Sequence, residues 1–120
     1  MTDLQIQIKI AEILGWKPDD DGAGLNTWEA SRVGNKLYGL KPRFNDSGKL
    51  VSYTVDCVVP NFPEDLNACR EFEKTLTQSK KSFYDEEMGD MAERLDICVW
   101  ELDARQRCEA FLRVHYEWKE

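Results

Sequence analysis

One stretch near the middle of the chain decides the fold: LYGLKPRFNDSGKLVSYTVDCVV, residues 37–59. Its first part, 37–44, and its last part, 50–59, are short runs rich in the aromatic and β-branched residues typical of strands. Between them lie Asn-Asp-Ser-Gly at 45–48, residue types that favour a tight turn. The stretch therefore predicts a β-hairpin.

The second strand of this hairpin has a clear two-residue period. Its odd-numbered positions are apolar and its even-numbered positions are mostly polar; the apolar set is Val51, Tyr53, Val55, Cys57 and Val59. Such alternation predicts that one face lies against the core. The run from Trp28 to Val33 predicts a further strand, with a turn at Gly34-Asn35, so the expected sheet is an antiparallel meander.

A helix is predicted before the sheet, from Asp3 to Leu14. Thr2 and Gln5 have the spacing of a capping box, and Gly15 stands where a helix commonly ends in a left-handed residue. The apolar residues of this segment also alternate as in a strand, but the signals at both ends favour the helix.

Three further elements are predicted after the sheet. Pro63 begins a helix that runs to about Gln78, Ile97 to Leu102 forms a last strand, and Asp103 caps a final helix. Between them, 82–84 is compatible with a short strand and 85–94 with helical turns interrupted by Gly89. The predicted fold class is α+β: an antiparallel sheet packed with about three helices in a sandwich-like arrangement, forming one domain over 1–120.

The charge balance excludes one class of partner. The 120 residues carry 16 bases and 23 acids, a net charge of −7. A protein that coats DNA or RNA needs a surplus of Lys and Arg to neutralise phosphates, so no nucleic-acid polymer is expected as a partner. The excess is uneven: residues 1–60 hold 7 bases and 8 acids, and 61–120 hold 9 and 15, a net of −1 against −6. The first half therefore still allows one small phosphorylated molecule.

No membrane segment is visible in the sequence. Its longest apolar runs, such as Cys57-Val58-Val59, fall far short of the roughly 20 residues that a spanning helix needs. The first residues lack the basic and then apolar pattern of a secretion signal. We expect a cytoplasmic protein that has no membrane partner.

The four cysteines, Cys57, Cys69, Cys98 and Cys108, have no CxxC spacing. In a reducing compartment they are expected to be buried free thiols rather than disulfides or zinc ligands. Asp19 and Asp21 have the spacing of calcium ligands, but a glycine follows at once, which favours a solvated turn. We predict no metal and no cofactor.

The sequence also predicts no catalysis. The single histidine, His115, falls on the apolar stripe of the last helix, where a packing role is expected. No nucleophile stands beside a base, and the glycines at 22 and 24 do not form a phosphate loop.

A candidate ligand site combines cations with aromatic rings in the first half of the chain. Rings stack on nucleotide bases, and Lys or Arg engages phosphates. The set is Trp16, Lys17, Trp28, Arg32, Lys41, Arg43 and Tyr53, with Asn61 and Asn67 added because they flank a helix start that can bind an anion. Two alternatives stay open: Trp16 and Trp28 pack in the core, and the residues around Asp65 act as helix caps.

Three short segments carry a family resemblance. They are IAEILGW at 10–16, FPEDLNA at 62–68 and ARQRCEAFL at 104–112. Together they resemble the small phage proteins of the phage ABA sandwich domain family. The resemblance implies a phage or prophage accessory protein, with helices packed on a β-sheet, that acts in the infected bacterial host. It supplies no catalytic residues.

Two functions are compatible with these features. The first is a non-enzymatic counter-defence protein that sequesters a small nucleotide signal, held between the subunits of a homo-oligomer. The alternative is an acidic protein-interaction module that inhibits a host protein, with the C-terminal half meeting a basic surface.

Overall fold

The structure is a computed structural model that describes residues 1–18, 28, 32–33 and 36–118, with the backbone alone at 32, 33 and 56. In chain order its elements are α1 (Asp3–Ile13), β1 (Lys17–Pro18), β2 (Arg32–Val33), β3 (Lys36–Phe44), β4 (Leu50–Val58), α2 (Leu66–Glu73), α3 (Gln78–Leu95), a 3₁₀ turn (Val99–Glu101) and α4 (Ala104–Val114). All strand pairs among these residues are antiparallel. The predicted α+β class is confirmed, with four α-helices in the described residues where about three were expected.

The chain divides into two compact units. One, the helical unit, comprises Met1–Ile10 and Pro60–Glu120; the other, the sheet unit, comprises Ala11–Val59. The backbone passes between the units twice, within α1 and after β4. The single domain expected over 1–120 stays a prediction.

β3 organises the sheet unit because each of the three other strands in its described part pairs with it. Lys17 of β1 lies opposite Leu40, and Val33 of β2 lies opposite Lys36. The short strand β1 was not predicted, since Lys17 and Pro18 open a polar stretch that reads as a turn. Some predictions fall outside the described residues. They are the turns at 19–24 and 34–35, the aspartates with calcium-ligand spacing, and part of the strand from Trp28 to Val33.

The predicted hairpin turn is confirmed between β3 and β4. The Asn45 side-chain oxygen accepts hydrogen bonds from the backbone N–H groups of Ser47 (3.1 Å) and Lys49 (2.9 Å). Gly48 has a φ of +81°, a left-handed conformation that favours glycine. The turn residues therefore specify this hairpin locally.

The predicted inward face of 51–59 is confirmed only in part: Val59 is buried and Tyr53 and Cys57 are half-buried, but the other two residues of the set are exposed. Val51 and Val55 are 60% and 65% exposed. Two register shifts explain the difference: from Gly39 to Lys41 the partner residue moves from Cys57 to Thr54, and from Arg43 to Phe44 it moves from Ser52 to Leu50. Each shift inserts one extra residue into β4, a β-bulge, which breaks the two-residue alternation.

Capping interactions define α1 as predicted. Thr2 Oγ1 accepts a hydrogen bond from the Gln5 N–H (3.2 Å), and the Gln5 side chain accepts one from the Thr2 N–H (2.9 Å). At the other end Gly15 has a φ of +96°. These signals lie within a few residues of the ends, which is why the sequence shows them.

Aromatic rings form the centre of the helical unit. Phe62, Phe72 and Phe111 are fully buried. The ring centroids of Phe72 and Phe111 lie 4.4 Å apart, and those of Phe62 and Phe72 lie 6.0 Å apart. This cluster joins α2 to α4 and to the segment before α2.

The region after Pro63 differs from the prediction. Instead of one helix to Gln78, α2 ends at Glu73 and Thr77 caps a new helix by accepting a hydrogen bond from the Lys80 N–H (3.3 Å). α3 runs without a break through the expected strand at 82–84 and through Gly89. Its inner face, formed by Tyr84, Met88, Met91 and Ala92, is buried, and that burial sustains 18 residues of helix.

The expected strand at 97–102 is also wrong. Asp96 ends α3 with a φ of 54°, and residues 99–101 form a 3₁₀ turn that leads directly into α4. The capping prediction for α4 is confirmed, because Asp103 and Gln106 form a reciprocal capping box. Ala104, Cys108, Phe111 and Leu112 are buried on the expected stripe.

Candidate functional site

The two tryptophans of the predicted ligand site are core residues. Trp16 is 7% exposed and Trp28 is 8% exposed. A Cβ placed on Gly39 would lie 2.7 Å from Trp28 Cζ3, so the indole packs directly against the backbone of β3. Neither ring presents a face to a ligand, and the packing alternative holds for both residues.

Lys17 and Tyr53 are brought together on one face of the sheet. The Lys17 ammonium lies 5.2 Å from the centroid of the Tyr53 ring, within the range of a cation–π interaction. Their places in the register, opposite Leu40 and Pro42 of β3 respectively, put both on the face of those two residues.

Lys41 and Arg43 lie on the other face. They alternate with Leu40 and Pro42 along β3, so their side chains point the opposite way. Lys41 is opposite Thr54 and Arg43 is opposite Ser52, and all four are exposed. The structure therefore divides the predicted set between two faces; only the backbone of Arg32, in β2, is described.

Asn61 and Asn67 belong to the helical unit, at the start of α2. Asn61 Nδ2 donates to Glu64 Oε2 (2.9 Å), while the Asn67 backbone N–H donates to Asp65 Oδ1 (2.9 Å). Asp65 is the N-cap of the helix. These contacts match the capping alternative left open by the sequence.

The thiols differ from the prediction that all four are buried. Cys69 and Cys108 are fully buried, but Cys57 is half-buried and Cys98 is exposed. A hydrogen bond with Cys69, together with burial, raises the pKa of the Cys108 thiol far above its ordinary value, which keeps this thiol protonated and unreactive. All four cysteines are free.

His115 packs where the last helix ends. Its ring centroid lies 4.4 Å from that of Phe111, and Nδ1 is 3.0 Å from the Phe111 carbonyl oxygen, where a protonated Nδ1 donates a hydrogen bond. Within the described ranges, no group of three or more His, Cys, Asp or Glu side chains is placed to hold a metal ion.

A feature that the sequence does not reveal is a groove between α3 and α4. An open cavity of about 490 Å³ is lined by Glu87, Asp90, Glu93 and Arg94 of α3 and by Arg113 of α4. A second cavity of about 300 Å³ shares Glu87 and Arg113 with it and is also lined by Phe83, Glu86, Val114 and Tyr116. We call these two cavities together the α3/α4 groove.

Helical spacing places the acids of the groove on one side of α3. Residues 83, 86 or 87, 90, and 93 or 94 follow one another at intervals of three or four positions, so they share a face. The sequence shows the same carboxylates only as a solvated acidic surface, because 82–84 read as a strand. Once 78–95 is recognised as one helix, that spacing is the signal that identifies the groove.

Two aromatic rings border the smaller cavity. Phe83 is 59% exposed and Tyr116 is 94% exposed. Tyr116 has a φ of +59°, and the N–H groups of Tyr116 and Glu117 donate to the carbonyl oxygens of Arg113 (3.0 Å) and Leu112 (2.8 Å). This is a Schellman motif with tyrosine at the position usually taken by glycine.

The Arg113 guanidinium, on the α4 side of the groove, already contacts other side chains of the helical unit. Arg113 Nε lies 3.4 Å from Glu109 Oε2, and the guanidinium carbon lies 5.8 Å from the centroid of the Trp118 ring. The groove carries four carboxylates, at 86, 87, 90 and 93, and two guanidinium groups, at 94 and 113. Its charge is therefore negative.

Comparison with known proteins adds no family. No protein-family model matches the chain, and neither a curated protein nor a solved structure matches it. The resemblance to the phage ABA sandwich domain family stays a prediction. None of the helices in the described part of the chain combines the length and the apolar character that crossing a bilayer requires.

Proposed function

We propose that the protein is a phage accessory protein that acts by binding rather than by catalysis, and that its α3/α4 groove holds a basic segment of a host protein. The observation that carries the proposal is the row of carboxylates along α3, which lines two cavities that share Glu87 and Arg113, with exposed aromatic rings beside the smaller one. Of the two functions considered, this geometry favours the acidic protein-interaction module.

Charge complementarity supports a basic partner. Four carboxylates against two guanidinium groups attract a cationic segment. The acids follow one helix face for about two turns, a length suited to an extended peptide or to a helix side. Phe83 and Tyr116 add the apolar contact area that gives an interface its affinity.

Binding of a labelled deca-arginine peptide tests the proposal. Fluorescence anisotropy is measured at low and moderate salt for the wild type and for the triple variant Glu87→Gln, Asp90→Asn, Glu93→Gln. Exposed charge pairs contribute about 0.2–1 kcal/mol each, so the variant should bind roughly tenfold more weakly.

A charge-matched control separates the groove from general electrostatic attraction. The triple variant Glu12→Gln, Asp46→Asn, Glu101→Gln also removes three negative charges, but from exposed positions that do not line the groove. This control should lose much less affinity for the deca-arginine peptide than the groove variant does. Equal losses in the two variants, or no binding by the wild type, would contradict the proposal.

A second candidate function is supported by one face of β3. Lys41 and Arg43, opposite the hydroxyls of Thr54 and Ser52, bring two cations and two hydroxyl groups together, a set that suits a phosphate group. The proposal of a small nucleotide ligand therefore keeps these two cations. It loses the rings expected to stack on the base, because Trp16 and Trp28 are buried and Tyr53 lies on the other face of the sheet.

A further inference from the structure

We infer that the smaller cavity of the α3/α4 groove receives one arginine side chain of the partner, stacked on the exposed ring of Tyr116 and hydrogen-bonded to the carboxylates beside it. This inference rests on the proposed function, because it names the residue that the groove selects. It goes further by separating arginine from lysine among basic partners.

The residues of this cavity match the two recognition modes of a guanidinium group. Phe83 and Tyr116 line the cavity with exposed aromatic rings, and Glu86 and Glu87, neighbours in the sequence, line it with carboxylates. A planar guanidinium stacks on a ring and donates hydrogen bonds from its edge at the same time. A lysine ammonium is a compact, strongly hydrated charge that satisfies a carboxylate without the stacking.

The helical unit already contains contacts of this type. The guanidinium carbons of Arg105 and Arg113 lie 6.0 Å and 5.8 Å from the centroid of the Trp118 ring, and each of these side chains also meets a carboxylate, Arg105 with Asp3 and Arg113 with Glu109. Each of these two arginine side chains is thus held by an aromatic ring and a carboxylate at the same time. Phe83 and Tyr116 are exposed beside carboxylates, which leaves the same pair of groups open to an arginine from outside.

The backbone at Tyr116 provides a sharp test. Because its φ is +59°, glycine fits the position better than tyrosine does. Tyr116→Gly should therefore leave the melting temperature unchanged or raise it while removing the ring. Loss of binding in this variant cannot then be attributed to loss of the fold. Tyr116→Phe is the matched control, since it keeps the ring at the same position.

The experiment compares labelled deca-arginine and deca-lysine peptides, which carry equal charge, on the wild type and on both variants. The wild type should prefer deca-arginine by roughly threefold, as expected for one cation–π contact. Tyr116→Phe should keep this preference and Tyr116→Gly should lose it. The ratio of the two affinities is the readout, because a general change in charge or stability affects both peptides alike.

Each result decides the inference. A preference that survives in Tyr116→Gly, or a wild type that binds both peptides equally, overturns the arginine assignment and leaves the proposed function standing. A wild type that binds neither peptide overturns both. Loss of the preference in Tyr116→Gly alone supports the assignment.

Discussion

The Tyr84 hydroxyl donates a hydrogen bond of 3.0 Å to Glu73 Oε2 and thereby joins α3 to α2. Arg107 Nη1 of α4 lies 3.6 Å from the same oxygen, so three helices meet at one carboxylate. Burial, followed by the negative charge of Glu73 and the hydrogen bond to it, raises the pKa of Tyr84 far above its ordinary value. The buried phenol therefore stays protonated in the folded protein.

This contact predicts a specific loss of stability at alkaline pH. An unfolded tyrosine releases its proton near pH 10, whereas Tyr84 in the folded state does not. Its contribution to the free energy of unfolding is fully present below that pH and is lost as the pH rises above it, at up to about 1.4 kcal/mol per pH unit. Urea unfolding of the wild type and Tyr84→Phe between pH 8 and 11 measures the effect.

The difference between the two proteins should change with pH. At pH 8 Tyr84→Phe should be less stable by about 1 kcal/mol, because it lacks the hydrogen bond. Above pH 10 this gap should narrow, since phenylalanine has no proton to release. A gap that stays constant over the whole range would show that Tyr84 does not couple folding to pH.

Two glycines should respond to alanine in opposite directions. A Cβ on Gly39 would lie 2.7 Å from Trp28 Cζ3 and 3.0 Å from the Lys17 carbonyl oxygen, so Gly39→Ala should lower the free energy of unfolding by about 1–3 kcal/mol. Gly89 in α3 has nothing within 4 Å of the equivalent position. Gly89→Ala should raise it by roughly 0.5–1 kcal/mol, and urea unfolding of both variants checks the two signs.

Thiol reactivity should follow burial. Cys98 is exposed, whereas Cys69 and Cys108 have no exposed surface. In native protein, Ellman's reagent should modify Cys98 rapidly and the two buried thiols only after denaturation. Cys98→Ser should remove the fast phase, and a fast phase that persists in this variant would have to come from half-buried Cys57 or from local opening around the buried pair.

Nucleotide binding gives a direct test of the second candidate function. A nucleotide that binds the folded protein raises its melting temperature by mass action. A panel of cyclic and ADP-ribose-type nucleotides should then produce a shift for at least one member, and the double variant Lys41→Gln, Arg43→Gln should abolish that shift. The variant Lys36→Gln, Lys49→Gln is the charge-matched control. No shift with any nucleotide would eliminate this candidate.

Elements whose cap or turn residues stand out in the sequence were the predictable ones. The caps at Thr2 and Asp103 and the turn beginning at Asn45 act within four residues of themselves, so a local pattern is sufficient to recognise them. α3 was missed because its acids and Gly89 obscure the inner face of Tyr84, Met88 and Met91, and only tertiary burial reveals that face.

The candidate site was predictable only in part. The acids of α3 were visible as a group, but their place beside Tyr116 depends on the packing of α3 against α4, which no local pattern encodes. The roles of Trp16 and Trp28 were ambiguous because the residue type alone does not distinguish a buried ring from one that stacks on a ligand. Their burial depends on partners elsewhere in the chain, such as Gly39 against Trp28.

The two bulges of β4 also bear on how other chains could associate with the hairpin. Four aliphatic side chains of this strand are at least 43% exposed: Leu50, Val51, Val55 and Val58. A regular strand with these residues would be a flat, apolar template on which other chains could extend the sheet. The extra residues at the register shifts interrupt the row of backbone groups that such a template needs. We therefore expect the irregular pairing to disfavour amyloid-like stacking on this aliphatic surface.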